Sequence, residues 1–202
     1  MNADQSRAAF FANLAYTPPD QRQVAINSSD YNTYQVDPHF NDDEHFVAHS
    51  GNQVYSSHRG TSNVDDVKTD LSLATGKLNE TDRYKRSYTK SLSVLRKHRR
   101  KNVTEVGHSL GGTLADQISR QTGRNSIVFN QGSSPFAAKH AANDQHQHIR
   151  TSTDVVSAFS APATQVIDAK GADHSIKGKL SRFNLATRIA GSFTGHQMNN
   201  FN

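Results

Sequence analysis

The sequence predicts an α/β protein on a mostly parallel sheet, and three observations predict it. Short strand-like runs at 102–106 and 126–130 alternate with helical patterns at 79–100 and 113–122. The run Ser126-Ile127-Val128-Phe129-Asn130 is compact and apolar, as expected of a strand covered on both faces of a parallel sheet. Between Val106 and Thr113 the chain passes from strand to helix through the glycine-rich turn Gly107-His108-Ser109-Leu110-Gly111-Gly112.

The chain of 202 residues is long enough to bury a core without staples. Its hydrophobic content of 34% and mean hydropathy of −0.75 require that core to be economical. There is no cysteine, which excludes disulfides, thiolate metal sites and a cysteine nucleophile. The net charge of +5 admits nucleic acid or an anionic membrane as a partner, and eleven histidines are expected to make the surface more basic in mild acid. No run approaches the ~18 apolar residues of a membrane span. Met1 to Arg7 lacks the basic-then-apolar layout of a secretory signal.

Taken in order, residues 3–16 read as a helix with Ala8, Ala9, Phe10, Phe11, Leu14 and Ala15, closed by Thr17-Pro18-Pro19. Residues up to about 43 are polar, with turn signals at Asn27-Ser28-Ser29-Asp30 and Asp37-Pro38. Scattered Val24, Ile26, Tyr31, Tyr34, Val36 and Phe40 favour an ordered wrap there over a mobile arm. The expected division is therefore a helix and wrap or arm over 1–43 and the main domain over 44–202. Strand candidates at 44–49 and 53–58 flank Ser50-Gly51-Asn52, a tight hairpin signal. The helix at 79–100 carries Tyr84, Tyr88, Leu92 and Leu95 at helical spacing and ends in Arg96-Lys97-His98-Arg99-Arg100-Lys101, which suits a helix carboxyl terminus. Beyond 126–130, a short alanine-rich helix follows Pro135, and strands are expected at 148–153 and 164–167.

The turn at 107–112 matches G-x-S-x-G in the strand–turn–helix context of a nucleophile elbow. That geometry strains the serine backbone, leaves Ser109 exposed at the carboxyl end of the sheet, and offers a helix amino terminus to developing negative charge.

Three stretches together resemble the class 3 lipases, the fungal triacylglycerol-lipase type of α/β-hydrolase. Gly107 to Gly112 resembles that family's elbow. Val54 to Ser62, ending in Arg59-Gly60-Thr61-Ser62, resembles its strand before Arg-Gly-Thr/Ser, and Asp66-Val67-Lys68-Thr69-Asp70-Leu71 its next segment, with valine in place of tryptophan. Thr153-Asp154-Val155-Val156-Ser157 resembles its Asp-x-Val segment. The resemblance spans roughly 44–201 and implies a compact α/β-hydrolase fold with helices on both faces of the sheet.

It also implies a Ser–Asp–His triad and hydrolysis of a carboxylic ester through an acyl-enzyme, with no metal and no cofactor. Ser109 is the implied nucleophile, with the Leu110 backbone N–H and Thr61 as oxyanion donors. Asp154 is the candidate acid, 45 residues beyond the serine and after a strand candidate. In this chain order the base follows the acid, leaving His174 and His196. His196, glycine-flanked and followed by a closing aromatic, is favoured, and His174 remains open. His108 is expected to point away from Ser109 and to pack structurally, and Arg59 to anchor the strand end.

Asn63 to Asp70 is nearly all polar, where an interfacial lipase carries an amphipathic lid. That favours an esterase or phospholipase on accessible acyl esters over a triacylglycerol lipase. The basic run at 96–101 suggests peripheral contact with anionic phospholipid, or a solvated helix end. His140, His146 and His148 have spacing for a metal but no supporting carboxylates, so scattered surface histidines are expected. The competing function is a catalytically inactive, basic hydrolase-like module that binds nucleic acid or an anionic membrane.

Overall fold

The computed structural model describes residues 1–61, 78–132, 142–151 and 165–167. Expectations on Asn63 to Asp70, the alanine-rich stretch after Pro135, His140, Asp154, His174 and His196 lie outside the described residues.

The described strands form one sheet whose spatial order follows the chain: β1 (Gln35–Asn41), β2 (His45–Ser50), β3 (Gln53–His58), β4 (Asn102–His108), β5 (Asn125–Phe129), β6 (His146–Thr151) and β7 (Gln165–Ile167). The β1–β2 and β2–β3 pairs are antiparallel, and every neighbour from β3 to β7 is parallel. The β2–β3 hairpin closes through Gly51, whose φ of +52° supplies the left-handed backbone that a two-residue loop requires.

Helix α1 (Ala3–Leu14) starts at a capping box: the Asn2 side chain accepts from the Gln5 N–H, and Gln5 accepts from the Asn2 N–H, both at 2.9 Å. The stretch after it is an ordered wrap, held by one fully buried cation. Arg22, in α2 (Arg22–Asn27), donates to the carbonyls of Ala15, Thr17 and Asp42 and to Asn41 Oδ1, and its guanidinium lies 4.8 Å from the Phe46 ring centre. Asp37 and Pro38, read from sequence as a turn, instead sit in β1. This is an edge strand, where a residue without an N–H is tolerated, and the register is irregular between Val36 and Asn41. The β1–β2 pairing therefore crosses the boundary expected at residue 43.

Helix α3 (Asp82–Lys97) begins at Thr81, whose hydroxyl accepts from the Tyr84 N–H at 3.2 Å. Its buried stripe runs through Tyr84, Ser87, Ser91 and Val94, with Leu92 and Leu95 only partly buried. Helix α4 (Leu110–Thr122) ends at Gly123 in the left-handed conformation.

Alternation along the strands separates two different faces. Toward α1 point Phe46, Ala48, Tyr55, Val106, Ile127, Phe129 and Ile149, which join Phe11 and Leu14 in one apolar cluster. Phe11 is its hub, with ring centroids 5.0 Å from both Tyr34 and Tyr55. Toward α3 and α4, a valine patch of Val47, Val54, Val94 and Val103 gives way to polar groups. There His58 Nε2 meets Glu105 Oε2 at 2.8 Å with both side chains at 0% exposure, and His45 Nε2 meets Ser56 Oγ at 2.9 Å. Further along the same face Asp116 of α4 pairs with His148 Nε2 and Arg120 Nε, each at 3.0 Å, while His146 Nδ1 lies between Ser119 and Ser126.

The histidines thus depart from expectation. His146 and His148 are buried rather than scattered on the surface, as are His45, His58, His98 and His108. Hydroxyl and carboxylate partners make this burial tolerable. Burial, then the nearby charges of His58, Lys90, Arg83 and Arg22, holds His45 well below the usual imidazole range. Burial alone would raise Asp116, but hydrogen bonds and charge from His148 and Arg120 prevail and lower its carboxyl to about 2.

Candidate active site

Strand β4 ends at His108, and Ser109 forms the corner before α4, with φ 56° and ψ −125°. A β-carbon residue rarely occupies such backbone, which costs on the order of 1–3 kcal/mol and survives only where the surroundings enforce it. Several neighbours do so here. The Ser109 N–H donates to the Phe129 carbonyl at 3.1 Å, and the Ser109 carbonyl accepts from the N–H groups of Thr113 and Gly132, both at 3.1 Å. The Thr113 hydroxyl donates to the Gly132 carbonyl. The end of β5 therefore grips the corner from both sides.

Two glycines are sterically required. A β-carbon on Gly107 would run into the Gly111 carbonyl and come within 2.8 Å of the Gly112 nitrogen. One on Gly111 would collide with the His58 carbonyl and lie 2.8 Å from the Gly60 nitrogen. The second contact is the more informative. It packs the Arg59-Gly60-Thr61 turn directly onto the first turn of α4, so the two candidate oxyanion elements are neighbours in space.

The Ser109 side chain makes no capping hydrogen bond to α4. The first N–H groups of this helix carry the positive end of the helix dipole toward the corner. The Thr61 hydroxyl oxygen is buried without a hydrogen-bond partner. Ser109 itself is 1% exposed, which corrects the expected exposed serine: Phe129–Gly132 is bonded to both its backbone sides and the Arg59–Gly60 turn packs against the corner. His108 is directed away from it as expected, with Nδ1 3.0 Å from the Tyr16 hydroxyl. Arg59 acts as an anchor through its N–H to the Glu44 carbonyl at 3.0 Å and its guanidinium 5.8 Å from the Tyr16 ring centre.

Residues 14–195 match the family described as Phospholipase-like, Tle-like phospholipase domain. The chain belongs to this family. Among solved structures, the phospholipase-like domain is similar to lipase II from Rhizopus niveus, with a TM-score of 0.51 at 15% identity, over 84% of this chain and 83% of that one. It is likewise similar to the Lip2 lipase of Yarrowia lipolytica, with a TM-score of 0.50 at 16% identity, over 74% and 72% of the two chains. No curated protein matches it in sequence. At these identities the structural likeness shows the fold, and the α/β-hydrolase architecture expected from the motifs holds. The domain is accordingly a lipase-like ester hydrolase domain.

Two neighbours of the corner carried no signal as site residues in the sequence. Asn130, at the end of β5, is fully buried with φ 41°; its N–H donates to the Ile149 carbonyl at 2.8 Å and its Oδ1 accepts from the Thr151 N–H at 2.9 Å. An asparagine closing an apolar strand is the one local hint, because asparagine tolerates left-handed backbone. Tyr16, in the stretch without motifs, reaches His108 across 92 residues of chain, a pairing no local pattern announces.

Among the described residues no group of three or more His, Cys, Asp or Glu is arranged to hold a metal. Among them, too, no helix is long and apolar enough to cross a membrane. The basic run of α3 lies beside the amino end of β4, at the opposite end of the sheet from Ser109.

Proposed function

We propose that this domain cleaves a carboxylic ester of a phospholipid or similar lipid by a Ser109–Asp154–His196 triad. The observation that carries the reading is the backbone of Ser109: a serine at φ 56° heading a helix that its own side chain does not cap, beside a second turn whose threonine hydroxyl has no partner. Ser109 Oγ attacks the acyl carbonyl as the base, His196, takes its proton, and Asp154 orients the imidazole and stabilises its charged form. The tetrahedral oxyanion is held by the Leu110 N–H and by Thr61, through its N–H and hydroxyl. The protonated base then gives its proton to the departing alcohol. Water, deprotonated by the same base, releases the fatty acid and restores Ser109. The phospholipid preference follows the family description, and the polar sequence after Thr61 agrees with it.

The competing reading, an inactive basic module, leaves the strained serine without a purpose. Membrane contact through the run at 96–101 would also turn Ser109 away from the lipid.

The test is covalent labelling by an organophosphonate, together with fatty acid release from phospholipid vesicles and from short-chain p-nitrophenyl esters. Labelling and turnover are expected to vanish in Ser109→Ala, to collapse in Asp154→Ala and His196→Ala, and to survive in His174→Ala. Loss in His174→Ala alone reassigns the base. A folded wild-type protein that neither labels nor turns over sinks the proposal, and salt-sensitive binding to RNA or anionic vesicles that persists in Ser109→Ala then supports the binding module. Thr61→Ala is expected to lower kcat by about 10²-fold, the effect of removing one oxyanion donor.

A further inference from the structure

We propose that Tyr16 is a positioning residue for the oxyanion site, one phenol that fixes the residue before Thr61 and the residue before Ser109 in a single register. The inference rests on the oxyanion assignment above and extends it to a part of the chain outside the class 3 lipase motifs.

The contacts are specific. Tyr16 follows α1 and is pinned there by its N–H, which donates to the Asn13 carbonyl at 3.0 Å. Its hydroxyl lies 3.0 Å from His108 Nδ1, and its ring stands edge-on to the imidazole at 5.9 Å. The backbone N–H of Gly60 also acts on this phenol, lowering its pKa against the larger effect of burial. The fit is tight: a β-carbon on Gly60 would lie 2.6 Å from the phenol oxygen and 2.7 Å from the His108 carbonyl.

The phenol proton can be given to His108 Nδ1 in the tautomer that carries its hydrogen on Nε2. Burial pushes the Tyr16 phenol up to about 12, so it keeps the proton this arrangement needs at any working pH. Gly60 directly precedes Thr61, and His108 directly precedes Ser109 and lies two residues before Leu110. One side chain therefore spans the two turns whose donors must converge on one oxygen, an alignment on which preorganised stabilisation depends.

Tyr16→Phe keeps the ring against His108 and Arg59 and removes only the hydroxyl. We expect kcat for a short-chain p-nitrophenyl ester to fall about 10-fold, with KM within twofold of wild type and an unchanged melting temperature. The rate of organophosphonate labelling at Ser109 should fall in parallel. Combined with Thr61→Ala, the loss should be smaller than the product of the two single losses, because both changes act on the same donor. His108→Asn, which retains an acceptor near the Nδ1 position, should keep most of kcat, whereas His108→Phe should behave as Tyr16→Phe does.

Unchanged kcat and labelling in Tyr16→Phe overturn the proposal while leaving the triad intact. A fall in melting temperature that accounts for the lost activity, or a fully multiplicative double variant, assigns Tyr16 to packing alone. If Thr61→Ala leaves kcat unchanged, Thr61 acts through its backbone N–H alone, and kcat and labelling in Tyr16→Phe then decide the inference.

Discussion

The two faces of the sheet solve one problem by different chemistry. The face under α1 excludes water with aromatic rings and branched aliphatics gathered on Phe11. The face under α3 and α4 buries His45, His58, Glu105, Ser126 and His148 and gives each at least one polar partner from within, through Ser56, Ser91, Asp116 and the His58–Glu105 pair itself. A chain of 34% hydrophobic residues can thus build a two-sided α/β core by gathering its aromatic rings on one side, while the other combines paired polar groups with the valine patch and with Leu78, Tyr84, Leu110, Leu114 and Ile118. The sides should differ in how they fail. An apolar face tolerates a change in proportion to the volume removed, whereas a paired polar face depends on each partner.

The largest effects test that difference directly. Phe11→Ala should cost about 4 kcal/mol, the usual scale for a buried phenylalanine. Asp116→Leu should cost about 3 kcal/mol, because it leaves His148 and Arg120 facing a lost charge. Adding His148→Leu should recover part of that loss, since replacing a buried pair by apolar groups is often neutral. Urea unfolding measures all three. A double variant worse than Asp116→Leu would show that the pair contributes net stability and would erase the contrast between the faces.

Acid should act through the polar face in two steps. The His45 imidazole is lowered in the fold, so the unfolded chain binds a proton first. Stability is then full above its ordinary value of 6.5 and declines below it by up to about 1.4 kcal/mol per pH unit. The Asp116 carboxyl, at about 2 against an ordinary 3.8, contributes about 2 kcal/mol that is present above pH 4 and lost as pH falls toward 2. His45→Gln should remove the upper step and leave the lower one. Urea midpoints taken between pH 8 and pH 3 separate them, and a flat profile between 8 and 5 would exclude His45 as a source.

Much of this fold was legible because it depends on local pattern. The strands at 44–49, 53–58 and 126–130 lie within a residue of their observed bounds, and Gly51 and Gly123 take the left-handed backbone that their turns need. β1 and α2 were not legible, because what orders them is Arg22, a charged residue whose burial depends on carbonyls at 15, 17 and 42. The corner at Ser109 was legible for a steric reason: few turns need glycine at both Gly107 and Gly111. Its surroundings were not, since Tyr16, Asn130 and the His58–Glu105 pair meet through packing across long stretches of chain. Histidine count misled for the same reason: composition gives the number of imidazoles and says nothing of their partners.

The smallest effects give the finest comparison, because two adjacent serines of β3 point to opposite faces. Ser57 Oγ donates to the Phe11 carbonyl at 2.9 Å, an oxygen that also accepts from the Ala15 N–H at 3.2 Å. Removing it in Ser57→Ala strands no acceptor, so the cost should stay below about 1 kcal/mol. Ser56 Oγ is the partner of His45 Nε2, and His45 Nδ1, buried, has none. Ser56→Ala removes the same few atoms but leaves an imidazole at 1% exposure with both nitrogens unpaired, so about 1–3 kcal/mol should be lost. Chemical denaturation of the two variants at pH 7.5 resolves this difference. Equal losses would mean that the face beneath α3 admits water to His45, and that burial there is held by packing rather than by its hydrogen bonds.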